Sequence, residues 1–117
     1  MIVVVFKHRP KAGVSLQEDE QFMQELYLPA KHIPGFLSVS GYTAENGDRV
    51  HLEYFTTLEA VSQWQNFPEH VRMIQVGRER FYESYTAQVC TLMSQIDYPG
   101  DSFLFGRETS SADCSSP

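Results

Sequence analysis

An Asn-Gly pair stands in the middle of Ala44-Glu45-Asn46-Gly47-Asp48, with strand-like runs on either side. Asn-Gly favours the positive-φ positions of a type I′ turn, whose twist suits the two strands it joins, so it is the strongest short-range hairpin signal a chain can carry. It makes residues 36–43 and 49–55 neighbouring antiparallel strands. Along the second of them Val50, Leu52 and Tyr54 share one face, and His51, Glu53 and Phe55 share the other.

The other segments fall into place around this hairpin. Residues 2–8, IVVVFKH, are β-branched and apolar at consecutive positions, the pattern of a strand buried on both faces. A stop follows at Arg9-Pro10-Lys11-Ala12-Gly13. Ser15-Leu16-Gln17-Glu18 is a capping box, and Glu18, Asp19 and Glu20 set negative charge on the positive end of the helix that it opens. Phe22, Met23, Leu26 and Ala30 form its inward stripe. Pro29 cannot continue the hydrogen-bond ladder, so a break is expected near Leu28, and Pro34-Gly35 ends the unit. After the hairpin, Thr56-Thr57-Leu58-Glu59 reads as a second capping box for a short helix with Leu58, Val61 and Trp64 on one side. Pro68-Glu69 then starts a longer helix, with His70, Ile74, Gly77 and Phe81 on one stripe. Ser84 to Met93 reads as the fourth strand.

Strand, helix, strand, strand, helices, strand is a pair of split β-α-β halves. The expected fold is α+β and ferredoxin-like (βαββαβ), a four-stranded antiparallel sheet with helices on one face, over residues 1–96. Such a sheet leaves its second face bare, and the first strand wants both faces buried. A homodimer formed sheet-to-sheet supplies that cover. Residues 97–117 read as a tail, flexible at its end, whose apolar knot Phe103-Leu104-Phe105 can dock on the body or on a neighbour.

Charge narrows the partners. Nine basic against fifteen acidic residues give a formal charge of −6, the wrong sign for nucleic acid or an anionic membrane. No apolar run reaches the ~20 residues of a membrane helix, and IVVVF is too short for a signal peptide and lacks a basic region before it, so a cytoplasmic location is expected. Cys90 and Cys114 show no CxxC or metal-finger spacing and read as ordinary thiols. His8 and His51 can meet near one edge of the sheet, but two imidazoles fall short of the three or four ligands zinc takes. No metal site is expected. Hydrolase order, phosphate-cradling glycine loop and dinucleotide fingerprint are all missing from the sequence.

Several linked pieces then carry a resemblance: Pro34-Gly35-Phe36, Asn46-Gly47-Asp48, the T-x-E-A-V-x-x-W run from Thr57 to Trp64, Phe67-Pro68-Glu69-His70, Gly77-Arg78, and Tyr82-x-x-Tyr85. Over residues 2–95 the chain resembles the antibiotic biosynthesis monooxygenase (ABM) domain family. The resemblance implies a ferredoxin-like subunit that pairs into a dimeric α+β barrel, with a pocket between sheet and helices. One branch of the family oxidises aromatic polyketides with molecular oxygen and no bound cofactor, the electron-rich substrate itself reducing oxygen. Another binds and degrades haem. Trp64 matches the tryptophan of the polyketide branch, while Ala60 and His70 stand where that branch has Asn and Tyr. The strand VVVFKHR lacks the Asn on which the haem branch relies, which disfavours haem degradation.

The segment from Trp64 to Tyr85 is accordingly expected to form one wall of the pocket. His70, in the first turn of its helix, feels the positive dipole end, which favours a neutral imidazole able to take a phenolic proton. Trp64 would shape an aromatic slot. Tyr54, Phe67, Ile74, Arg78, Phe81 and Tyr85 are the expected substrate-binding residues, with Arg78 able to stabilise a phenolate. The function expected is that of a small monooxygenase acting on an electron-rich aromatic or quinol without haem or flavin. A second reading stays open: a dimeric, non-catalytic binding or stress-related protein that holds a small apolar ligand in the same pocket.

Overall fold

The β-branched run at the N-terminus forms β1 (Ile2–Pro10), and it lies inside the sheet, as a strand apolar on both faces must. The computed structural model of the protein describes residues 1–100. After β1 come α1 (Leu16–Tyr27), β2 (Phe36–Thr43), β3 (Arg49–Phe55), α2 (Leu58–Gln65), α3 (Pro68–Val76) and β4 (Tyr82–Thr91). The strands make one antiparallel sheet in the order β2-β3-β1-β4. This is the expected ferredoxin-like α+β arrangement. Phe103-Leu104-Phe105, Cys114 and most of the tail lie outside the described residues.

Register decides what each face carries. On β1, Ile2, Val4, Phe6 and His8 oppose Phe55, Glu53, His51 and Arg49 of β3, and all eight are buried under the helices. The other face carries Val3, Val5, Val50, Leu52 and Tyr54, all half-buried in the single chain, with Tyr42 exposed beside them. Arg49, His51 and Glu53 of β3 thus point into the protein beside Phe55, while Val50, Leu52 and Tyr54 point out.

α1 starts as its capping box requires: Ser15 Oγ accepts from the Glu18 N–H, and the Ser15 N–H donates to Glu18 Oε1, both at 3.0 Å. It buries Asp19, Phe22, Met23, Leu26 and Tyr27. Pro29 has the expected effect, since the α-helix gives way after Tyr27 to a tighter 3₁₀ turn, Leu28–His32. Gly47 has φ +92° in the hairpin.

Three expectations about the second half need correction. The α2 cap is Thr57, whose side chain accepts from the Ala60 N–H, one residue later than the Thr56–Glu59 box. β4 begins and ends two residues earlier than Ser84–Met93. The helix from Pro68 stays α-helical only to Val76 and then widens into a π turn, Gly77–Phe81. At Gly77, the first residue of that turn, a Cβ would overlap the buried ring of Tyr82. Gly77 serves packing against the last strand. Trp64 of α2 is the largest buried side chain, and no helix among the described residues is long and apolar enough to cross a membrane.

Candidate functional site

A groove of about 540 Å³ opens between α1, the 3₁₀ turn that follows it, and strands β2 and β3. Its walls are largely apolar, made by Met23, Tyr27, Leu28, Phe36 and Val39, with Arg49 and His51 on the strand side. Glu20, Gln24 and Lys31, all exposed, also line it. An apolar cleft with a few convergent polar groups is the usual form of a small-molecule site. Gly41 lines the groove as well, directly opposite His51 in the β2–β3 register. A Cβ there would sit 2.9 Å from His51 Nε2 and 3.4 Å from an Arg49 guanidinium nitrogen, so the bare backbone makes room for both side chains.

Beneath the groove lies a buried polar layer. His8 Nε2–H donates to the Asp19 carboxylate at 2.8 Å, with both side chains shielded from solvent. Arg49 reaches the same carboxylate and that of Glu20, each at 3.6 Å, and donates to Thr43 Oγ1 at 2.6 Å. The rings of His8 and His51 stack with centroids 5.9 Å apart. They meet on the two central strands under the helices, not at a sheet edge. No group of three or more metal-ligating side chains is assembled among the described residues.

His51 is the imidazole of this site. Burial first, and then the neighbouring His8 and Arg49, push its pKa down to about 4, so it is neutral at physiological pH. Its Nδ1 is buried with no hydrogen-bond partner among the described residues. Tyr27 lies over His51, with centroids 5.5 Å apart, and its hydroxyl donates to Glu53 at 2.5 Å. Burial raises Glu53 to about 7, against which the Tyr27 hydrogen bond works. Burial and the Glu53 charge hold the Tyr27 phenol well above its ordinary value.

None of the eight residues expected from the sequence lines this groove. Trp64 is 1% exposed and stacks on His70, with centroids 4.1 Å apart, while Phe67 closes its other side at 6.5 Å. It meets the groove only from behind, through Tyr27 at 6.1 Å. His70 is half-buried and its pKa is lowered to about 4, the expected direction, but burial is the cause and the carbonyls of Gln65 and Trp64 work against it. Its Nδ1 too has no hydrogen-bond partner among the described residues. Ile74 packs against the core, and Phe81 stacks on Phe22 at 4.1 Å. Arg78 donates to the Tyr85 hydroxyl at 2.9 and 2.5 Å, and Tyr85 leans on Phe6. Tyr54 stands on the opposite face of the sheet. The segment from Trp64 to Tyr85 therefore backs the core and is not a wall of the groove.

The groove is lined instead by residues the sequence did not single out as a site, Tyr27, Arg49 and His51 with Gly41 opposite, and Glu53 lies just behind them. One signal pointed to them. A central strand is buried on both faces, so the alternating Arg49, His51 and Glu53 had to be buried if Val50, Leu52 and Tyr54 were kept for the bare face.

The fold has close counterparts. An antibiotic biosynthesis monooxygenase superposes with a TM-score of 0.67, over 80% of this chain and 100% of its own, at 14% identity. This chain has the antibiotic biosynthesis monooxygenase fold. Rv0793 from Mycobacterium tuberculosis gives a TM-score of 0.70 at 13% identity, covering 82% of this chain and 98% of that one. SnoaB from Streptomyces nogalater, a cofactor-independent oxygenase, gives 0.68 at 13% identity, covering 84% of this chain and 96% of that one. At such identities the likeness is one of fold. No family model matches the sequence. Among curated proteins, a stretch of 62 residues is 31% identical to the uncharacterized protein YqjZ of Bacillus subtilis strain 168. It covers 53% of this chain and 54% of that one, so the chain spans about half the length of the curated relative that it matches.

Proposed function

We propose that the groove between α1 and β2–β3 binds a flat, hydroxylated, electron-rich aromatic, and that the protein is a small monooxygenase that oxidises it with molecular oxygen without bound haem or flavin. The observation that carries this reading is the groove itself: apolar walls for a planar ring, with Arg49, His51 and Tyr27 converging on it. The kinship of fold with SnoaB supports the choice of reaction. Once a phenol or enol loses its proton, the ring is rich enough in electrons to reduce oxygen. One oxygen atom then enters the substrate and the other leaves as water, the electrons coming from the substrate. The residues assist by holding the anion: Arg49 supplies fixed positive charge, and neutral His51 offers a hydrogen bond through Nε2. The apolar walls keep water from competing.

Two copies of the chain would pair through the bare sheet face, where Val3, Val5, Val50, Leu52 and Tyr54 form an apolar stripe. A solution mass of one chain at micromolar concentration would sink this pairing.

The activity is tested by oxygen uptake with a panel of hydroquinones and anthrones. His51→Ala should slow uptake at least about tenfold, the size of one hydrogen bond to a charged group. A second reading, ligand binding without turnover, is favoured by Arg49, whose guanidinium already faces Asp19 and Glu20. Binding of flat aromatics with no uptake from any of them would decide for it.

A further inference from the structure

Glu53 follows His51 by two residues on the inward side of β3, buried and one step behind the groove lining. Tyr27 is one of the residues that line the groove, and its hydroxyl donates to Glu53 at 2.5 Å. A carboxylate placed behind a groove residue and joined to it by so short a bond is built to exchange a proton with it.

We propose that Tyr27 and Glu53 form a proton relay that removes the hydroxyl proton of a phenol bound in the groove and stores it on the buried carboxylate. The inference rests on the reading of the groove as a site for hydroxylated aromatics. In the relay the substrate O–H bond breaks as its proton passes to a lone pair of the Tyr27 oxygen. The Tyr27 O–H bond breaks in concert as its own proton crosses to Glu53. The substrate oxygen keeps the electron pair as phenolate, Tyr27 ends as a neutral phenol, and Glu53 ends protonated. Nothing is oxidised or reduced in this step.

The surroundings fit these roles. Tyr27 cannot hold the negative charge, because burial and Glu53 both oppose its ionisation, so it can only pass a proton on. Glu53 sits near neutrality, where it can accept a proton and later return it. The titratable groups around it come from every packed element. α1 offers Tyr27 and Asp19, β1 offers His8, β3 offers Arg49 and His51, and β4 offers Tyr82. Asp19 is engaged with His8 and Arg49. His51 is too weak a base to compete for the proton, and the phenol of Tyr82 is pushed upward by burial. Val39 of β2 opposes Glu53 in the register, and Trp64 of α2 stacks on Tyr27, so these sides are apolar. Tyr27 is the catalytic residue of the pair and Glu53 a positioning residue that acts through it.

The test uses 4-cyanophenol, whose absorbance reports its ionisation, at a pH just above 7 with the full chain. Calorimetry in two buffers of different ionisation heat reads any proton released on binding. The wild type should bind the probe with a phenolate spectrum and release well under one proton for each phenolate formed, because part of the Glu53 carboxylate is already protonated at this pH. Glu53→Gln, which preserves volume and can still accept from Tyr27, should lower the bound phenolate about tenfold or release one proton for each phenolate formed, a tenfold change being one pKa unit. Tyr27→Phe should do the same while leaving the carboxylate in place. A Glu53→Gln protein that matches wild type on both readings overturns the relay. Failure of the wild type to bind the probe overturns the relay and the groove together. A phenolate formed with well under one proton released, but with no oxygen uptake from any substrate, supports the relay and removes only the oxygenase reading.

Discussion

Two histidines in this protein are both buried enough to be held neutral, yet they stand in different places in the fold. His51 on β3 and His70 on α3 are both pushed down to about 4 by burial, both have a buried Nδ1 with no hydrogen-bond partner among the described residues, and both lie against an aromatic ring. Of the two, only His51 lines the groove. The difference teaches that a perturbed imidazole marks low dielectric, which a packed core and a functional cleft supply equally well. What separates them is whether a neighbour was left small enough for something else to enter. Gly41 does that opposite His51, whereas Trp64 fills the space beside His70.

If that division is right, the Trp64 side is about stability. Trp64→Ala should cost about 3–5 kcal/mol, the usual range for emptying a large aromatic from a core, measured by urea unfolding followed in the far ultraviolet. Tyr27→Phe removes a hydroxyl and leaves Glu53 unpaired, and should cost about 1–3 kcal/mol. A reversal of that order would make Tyr27 the keystone of the core and Trp64 the more expendable ring.

The next largest effect depends on pH and concerns the groove side. Glu53 titrates at about 7 in the folded chain against an ordinary value of 4.5. The folded state therefore keeps a proton that the unfolded state releases. Its contribution is present in full below about 4.5 and is lost as pH rises through about 7. His51 and His70 run the other way, since both are held neutral when folded, and stability is lost as pH falls from 6.5 through about 4. In Glu53→Gln the first of these vanishes. The stability of the variant relative to wild type should climb between about pH 4.5 and 7, by roughly 3 kcal/mol at the most. Thermal melts across that range check it, and a flat difference would mean that Glu53 is solvated.

The two regions also differ in how far they could be read from the sequence. The fold was legible because its determinants are local. Asn46-Gly47 sets the hairpin, Ser15 and Glu18 cap α1, and Pro29 breaks it within one residue of the expected place. The close packing at Gly77 was not legible, because Gly77 answers to Tyr82, a contact that exists only once β4 docks. The groove was hidden for a similar reason. Its lining comes from α1, β2 and β3, and the polar residues in and behind it alternate with Val50, Leu52 and Tyr54, so ordinary patterning would turn Arg49, His51 and Glu53 toward water. The family resemblance drew attention to the Trp64 segment, whose residues cluster in the sequence but pack behind the groove.

Gly41→Ala sharpens the comparison more gently, by giving the groove side the crowding that the Trp64 side already has. The added methyl would lie 2.9 and 3.0 Å from two His51 ring atoms. The ring must give way, at about 1–3 kcal/mol for an overpacked site, and affinity for a flat phenol should fall roughly tenfold, equal to about 1.4 kcal/mol. Unchanged affinity, read by calorimetry, would remove His51 from the binding surface.

The smallest expected effect is the one that most directly tests the division. His70→Gln keeps a polar side chain against Trp64 and changes none of the residues that line the groove. Its affinity for a flat aromatic should stay within about twofold of wild type, less than roughly 0.5 kcal/mol, whereas His51→Gln should lose about tenfold. Calorimetry is the proper readout, because His70 lies on the Trp64 ring and the substitution will alter its fluorescence whether or not ligand binding changes. Equal losses in the two variants would mean that the ligand reaches past Tyr27 to the Trp64 side, joining the two clusters into one site. A loss confined to His70→Gln would return the site to the segment that the sequence first pointed to.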